Sequence, residues 1–348
     1  MALFEVTEYD RKVYEAEIKD YLPDGIIDVH THVWKGRDTN RSDRNVSWPA
    51  LVAPHNPIGD ITEAYRLFFP GKKVTPLIFA NAIETLSDVK PRNDYVVEAM
   101  KSSGYPALYY SHPEQTADEV EREIFAHGFL GIKSYLSLSP AYIPTNEIRI
   151  LDFFPPHLLE MINRNKLAVM LHIPRSGRLR DAVNIAQIKY ICEKYPDIRL
   201  IIAHVGRAYC MGDIGDAFDE LKGYENLYFD FTANCNQYVF ERLLDAVPVD
   251  RIMFGSDEPV LRMRCHRIEE DGRYVNLIPR GLYGDVSGDP NMREVSDEEA
   301  KKITFFMYEE ILAMKRATES KGLGKDAVTR LFFGNADDLI RELRERTK

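Results

Sequence analysis

Apolar residues in this chain come in short β-branched or aromatic runs, separated by longer stretches with helical spacing. The runs are 26–33, 74–80, 107–110, 129–135, 167–173, 199–205, 227–231 and 252–254. Several are apolar almost throughout, the pattern of parallel strands buried on both faces. Between them, 116–126 opens on a Thr cap with an acidic first turn, and 155–165 has proline near its start. The stretch 181–194 is amphipathic and stops before Pro196, while 297–318 follows Ser296 with Glu299 three residues on, a capping box. Eight strands alternating with helices predict an α/β chain folded as a (β/α)8 TIM barrel. An open doubly wound sheet is the alternative, but no Gly-x-Gly-x-x-Gly follows the first strand, which weakens its dinucleotide-binding form.

Two connections exceed the usual length of a βα loop. One is 34–73, with both tryptophans, Trp34 and Trp48; the other is 258–295. In a closed barrel the first and eighth strands are neighbours, so both insertions would rise side by side from the C-terminal face, where barrel enzymes carry their active sites. They are expected to form a lid or specificity wall, or else a dimerisation arm. The whole of 1–348 is expected to be one barrel domain.

Composition narrows the class. With 45% hydrophobic and 29% charged residues the chain is neither disordered nor collagen-like, and no apolar run approaches a membrane span. A net charge of -10 with no basic face argues against nucleic acid as a partner. Met1 to Val6 shows no basic start followed by an apolar core, so no secretory leader is expected. The four cysteines, Cys192, Cys210, Cys235 and Cys265, form no Cys-x-x-Cys and are expected to be reduced, in a cytoplasmic protein. A homo-oligomer, dimer or higher, is expected.

The strongest chemical signal is Asp28-Val29-His30-Thr31-His32. Residues two apart on a strand share a face, so Asp28, His30 and His32 point one way and Ile27, Val29 and Val33 the other. Paired imidazoles at a strand end can chelate one divalent metal ion, zinc above all. Three further residues end apolar runs: His172 the fifth, His204 the sixth, and Asp257 follows the eighth. A barrel brings these strand ends to one point. His112, after the third run, is a weaker candidate for the same pocket.

As a set these features resemble the amidohydrolase superfamily, and in wording its amidohydrolase-2 branch, which includes relatives of aminocarboxymuconate-semialdehyde decarboxylase and metal-dependent lactonases. The matching stretches are 26–32, Leu171-His172-Ile173-Pro174, Ala203-His204-Val205-Gly206-Arg207, Phe254-Gly255-Ser256-Asp257-Glu258-Pro259 and Phe333-Gly334-Asn335-Ala336. The resemblance implies that His30, His32 and His172 hold one divalent metal with Asp257 as a further ligand or close neighbour, and that His204 stands beside the metal-bound water. Asp257 would take or orient a proton, and His204 would polarise a carbonyl or shuttle one. The branch contains hydrolases, lactonases and decarboxylases. Two reactions are therefore expected as alternatives: hydrolysis of an ester, lactone or amide bond in a small carboxylated substrate, or non-oxidative decarboxylation of an aromatic or unsaturated acid. A binding scaffold without turnover is the third reading, disfavoured by the intact ligand positions.

Substrate contacts are expected from basic and aromatic residues near these positions. Arg175 and Arg178 follow His172, Arg207 follows His204, and guanidinium forks suit carboxylates. Their alternative is pairing with local acids such as Asp181, Asp213 and Asp216. Lys133, near the end of the fourth strand, is expected to be a buried cation for a substrate carboxylate; a carboxylated lysine bridging two metals is the other reading. Tyr135 and Trp34 are placed near substrate. Arg262, Arg264, His266 and Arg267, in the second insertion, are expected to be solvated or interfacial.

Overall fold

Every one of the eight predicted runs carries a strand, and the strands between the helices are parallel. The computed structural model describes residues 3–36, 52–82 and 85–348. After a short helix α1 (Glu8–Val13), the strands are β1 (Gly25–Val33), β2 (Lys73–Ala80), β3 (Tyr109–Tyr110), β4 (Gly131–Ser134), β5 (Ala168–Leu171), β6 (Arg199–Ile202), β7 (Leu227–Asp230) and β8 (Ile252–Met253). Helices α2 (Ile58–Phe68), α3 (Leu86–Ser103), α4 (Ala117–His127), α5 (Pro156–Asn165), α6 (Ala182–Lys194), α7 (Ala217–Leu221) and α8 (Gln237–Ala246) alternate with them. Strands β3 to β8 form one parallel sheet in chain order, and β1 pairs with β2 in a second. Backbone hydrogen bonds link the two sheets at both edges. Ile78 on β2 donates to Pro106 and accepts from Leu108, while Val29 and His32 on β1 donate to Phe254 and Glu258 just beyond β8.

The predicted helix starts hold for a physical reason. Thr116 and Glu119 form a capping box at α4, and the Asp181 carboxylate accepts from the first turn of α6. The predicted helix 297–318 is two helices, α9 (Asp297–Ala300) and α10 (Phe306–Ser320). The break at 301–305 serves long-range contacts: Thr304 Oγ1 donates to Asp10, and the Phe306 amide donates to the Met263 carbonyl. Beyond them lie α11 (Lys325–Thr329) and α12 (Asn335–Arg346).

Both long connections carry secondary structure. The first includes α2, so it is a βα unit with an extended loop; residues 37–51, Trp48 among them, lie outside the described residues. The second folds as a three-stranded sheet of β9 (His266–Glu270), β10 (Arg273–Pro279) and β11 (Met292–Val295), with β9 and β10 antiparallel. Among the described residues no helix is long and apolar enough to cross a membrane, and the four cysteines are unbridged.

The second insertion is tied to the N-terminus through an internal ion pair. Arg264, expected to be solvated or interfacial, stacks over Phe305 at 4.5 Å and donates to both carboxylate oxygens of Asp10 at 3.1 and 2.6 Å. Asp10 also accepts from Thr7 and Thr304. Burial alone would raise the Asp10 carboxyl, but Arg264 and the two hydroxyls outweigh it and leave it below its ordinary value. A depressed folded value means the stabilisation is fully present above the unfolded carboxyl value of ~3.9 and is lost as pH falls through the folded one. Asp10→Ala is expected to destabilise the fold by about 3 kcal/mol at neutral pH, because it leaves Arg264 unpaired. Denaturant unfolding checks this, and the deficit should shrink toward pH 3.

Candidate active site

Strand periodicity puts His30 and His32 on the same face of β1, and the edge contact between β1 and the β8 end brings Asp257 to them. Gly255 permits that approach: a Cβ there would lie 2.3 Å from Thr232 Oγ1 and 2.8 Å from His30 Cβ. Nε2 of His32 and of His30 lie 3.1 and 3.5 Å from Asp257 Oδ1. The other ring nitrogens are committed. His32 Nδ1 lies 3.2 Å from the Ala80 carbonyl and His30 Nδ1 lies 2.9 Å from Asp230 Oδ2. A carbonyl or carboxylate only accepts, so both Nδ1 atoms carry a proton, and in the neutral rings both Nε2 atoms present lone pairs. Burial lowers the His32 value and keeps that ring neutral. With both rings neutral, two imidazole lone pairs and a carboxylate oxygen converge, an arrangement that a cation relieves. The donor set, two imidazoles and a carboxylate, suits zinc.

A second cluster, His30, His204 and Asp230, lies deeper. It is a support rather than a cation site, because the Asp230 oxygens already accept from His30 Nδ1, the His204 amide at 2.6 Å and the Thr232 amide at 3.2 Å. A carboxylate behind an imidazole fixes the tautomer and orientation of a metal ligand. Asp230 is not among the residues expected at the site, although it stands at the end of an apolar run just as His172 and His204 do.

His204 starts a backbone turn of unusual hand. Residues His204, Val205, Gly206 and Arg207 all have left-handed φ, from 48° to 61°. Three of the four carry side chains that disfavour this region, at a cost of roughly 1–2 kcal/mol each. At Gly206 a Cβ would lie 2.6 Å from Leu179 Cδ1, so a side chain there would have to displace Leu179. The turn delivers two side chains, His204 and Arg207, into one cavity, and strain of this kind concentrates at functional sites. His204 Nδ1 lies 3.3 Å from the Thr232 carbonyl and so bears the proton, leaving Nε2 as an acceptor. Burial lowers this imidazole to about 4, with His30 adding to the effect, so the ring is neutral at pH 7.

The cavity, of about 500 Å³, is lined by His30, His32, His172, His204 and Asp257, together with Lys133, Tyr135 and Arg207. His172 is beside His204, ring centroids 5.2 Å apart, rather than in the tight cluster, and its buried Nδ1 has no hydrogen-bond partner among the described residues. Lys133 is buried, sits over the Phe79 ring at 5.4 Å and makes no ion pair among the described residues. Burial pulls its ammonium down to about 8 against the pull of Asp230 and Asp257. Tyr135 packs 4.7 Å from His172.

Three predicted substrate contacts lie elsewhere. Arg175 pairs with Asp181 at 3.0 Å and Arg178 with Asp213 at 2.5 Å, so the local-acid alternative describes both, and neither lines the cavity. Trp34 is buried outside it, its indole N–H donating to the Pro54 carbonyl at 3.4 Å. Of the expected solvated residues, Arg262 is buried against Glu258 and Asn56, and only His266 is half-exposed, paired with Glu309. Arg267 lines the cavity itself, as do Met263, Tyr274 and Asn276 from the same insertion, which makes that insertion a wall. No described residue from 52–73 lines it. His112 also stands outside, accepting from the Glu114 amide.

Comparison with known protein families matches residues 27–303 to the amidohydrolase family. No curated protein matches the sequence. Among solved structures the fold is similar to 5-carboxyvanillate decarboxylase from Sphingomonas paucimobilis, 13% identical, covering 92% of this chain and 99% of that one with a TM-score of 0.57. It is also similar to 4-oxalomesaconate hydratase from Rhodopseudomonas palustris, 16% identical, covering 91% and 96% with a TM-score of 0.56. A third likeness is to a zinc-bound amidohydrolase from Burkholderia multivorans, 13% identical, covering 91% and 99% with a TM-score of 0.56.

Proposed function

The chain belongs to the amidohydrolase family, and on that premise we propose that it is a metal-dependent hydrolase, cleaving an ester, lactone or amide bond of a small carboxylated substrate. The observation that carries the reading is the convergence of the His30 and His32 lone pairs on Asp257 in the same cavity as an acceptor nitrogen of His204. We read the two edge contacts between the sheets as closure of a (β/α)8 barrel, with the cluster at its C-terminal mouth.

His30, His32 and Asp257 would hold the ion, with His172 beside it. Bound there, a divalent ion, zinc by its donor set, supplies Lewis-acid polarisation of a carbonyl and activation of water. The other roles fall to side chains. His204 Nε2 is a fixed acceptor for a proton and is kept neutral by burial. Asp230 holds the His30 ring and the start of the His204 turn in register. Lys133 and Arg207 present positive charge for a substrate carboxylate, and Tyr135 lines the side next to His172.

The same placement of Lys133 would hold a carboxylate close to the cluster, as the alternative decarboxylation requires. Product analysis separates the two reactions. Zinc-loaded protein is offered a panel of lactones, esters and amides of aromatic acids alongside the free acids, in heavy-oxygen water. Hydrolysis is expected: one new acid group per turnover, labelled by solvent oxygen, with no CO2. Release of CO2 without a new acid group overturns the hydrolase reading in favour of the lyase.

A further inference from the structure

The cavity lining holds three side-chain cations, Lys133, Arg207 and Arg267, against a single carboxylate, Asp257. None of the three has a carboxylate within ion-pair distance among the described residues, whereas Arg175 and Arg178, which lie outside the lining, are both paired. Lys133 sits over the Phe79 ring, which packs against the His30 and His32 rings, and Arg207 donates to the Ile173 and Pro174 carbonyls next to His172, so both stand with the metal end. Arg267 comes from a different element, strand β9 of the second long connection. Its guanidinium lies 4.8 Å from the Tyr209 ring centre, 4.5 Å from that of Tyr274 and 4.4 Å from that of Phe306. Nη1 donates to the Ala233 carbonyl at 2.6 Å, and Nε donates to Asn276 Oδ1 at 2.8 Å. Nη2 makes no hydrogen bond among the described residues.

Such a guanidinium is pre-organised. Three aromatic rings fix its plane and two hydrogen bonds fix its rotation, so little freedom is left to lose when it takes an anion. Asn276 is itself buried, and its Nδ2 is engaged with the Met292 sulfur, so its oxygen is turned toward Arg267. A cation held this way with no anion of its own is costly unless a ligand supplies one.

We infer that Arg267 is a specificity-determining residue: it binds a second carboxylate of the substrate, remote from the metal end, with Asn276 as its positioning residue. The substrate class is then a small dicarboxylate, its first acid group or reacting carbonyl at Lys133 and Arg207 and its second at the inserted wall. The inference rests on the proposed function only for which end of the substrate reacts.

Binding tests it without turnover. Dissociation constants are measured for benzoate, the three benzene dicarboxylates and 3-phosphonobenzoate on zinc-loaded wild type, Arg267→Met and Arg267→Lys, with zinc content recorded for each. The best dicarboxylate should bind wild type about tenfold or more tighter than benzoate, the scale of one charge-assisted hydrogen-bonded pair. Arg267→Met should erase that advantage while benzoate binding changes by less than about twofold; where the methionine variant does not fold, Arg267→Lys should still lose most of it for want of the fork. No advantage for any dicarboxylate in wild type, or equal losses for benzoate and dicarboxylate, overturns the inference. A larger gain for the phosphonate than for any dicarboxylate overturns the carboxylate assignment. Stoichiometric zinc with no dicarboxylate advantage sinks this inference alone, whereas a dicarboxylate advantage in protein that binds no zinc sinks the metal-dependent reading alone.

Discussion

His30→Ala is expected to reduce bound zinc from about one per chain to near zero after dialysis and to lower kcat/KM by roughly a thousandfold. Outer partners of a metal ligand are worth about 10–100-fold in metal affinity or activity, and His30 is more than such a partner: its Nε2 is one of three donor atoms that converge in the cavity. Its removal also frees Asp230 Oδ2, which holds the imidazole through Nδ1, so two layers of the site change at once. Asp230→Asn separates them. That variant keeps the His30 ring and replaces its orienting carboxylate by an amide, so zinc should bind more weakly and remain saturable. Elemental analysis across a zinc titration reads both. Stoichiometric zinc in His30→Ala at wild-type affinity would show that the ion is held elsewhere and would remove the basis of the proposed function.

What a sequence shows about such a site depends on whether the signal is local. The β1 histidines were legible because strand alternation needs only two residues of spacing, and the strand-end positions of His172, His204 and Asp257 because each run of apolar residues announces its own end. The alternation of parallel strands with helices followed from the same runs. Pair choice was not local. Asp181 and Asp213 stood among the possible partners of Arg175 and Arg178, but the sequence did not decide between them and substrate, and the Asp213 pair with Arg178 is reached only once the turn after β6 is folded back. The break between α9 and α10 depends on Asp10, at the far end of the chain. One missed signal was local. Asp271-Gly272, both with left-handed φ, joins β9 to β10 with two residues, the strongest short hairpin signature. Reading it gives the second insertion a ribbon, and Arg267 a defined face within it.

His204→Asn is expected to lower kcat by about 10²–10⁴, the usual contribution of a positioned general acid or base, while leaving bound zinc at about one per chain. Asparagine is chosen over alanine because position 204 has a φ of 59°, a region asparagine tolerates far better than most residues. The turn that also carries Arg207 should then survive, and with it substrate binding, so KM should change little. The separation from His30→Ala is geometric. His204 Nδ1 is occupied by the Thr232 carbonyl and its amide by Asp230, but its ring is not part of the His30, His32 and Asp257 convergence. A group placed beside the ion moves a proton; a group that holds the ion determines whether it is there. Zinc content, Tm and kcat measured on the same preparation distinguish these. Loss of zinc matching that of His30→Ala would make His204 a ligand, and an unchanged kcat would move the proton-accepting role to Asp257.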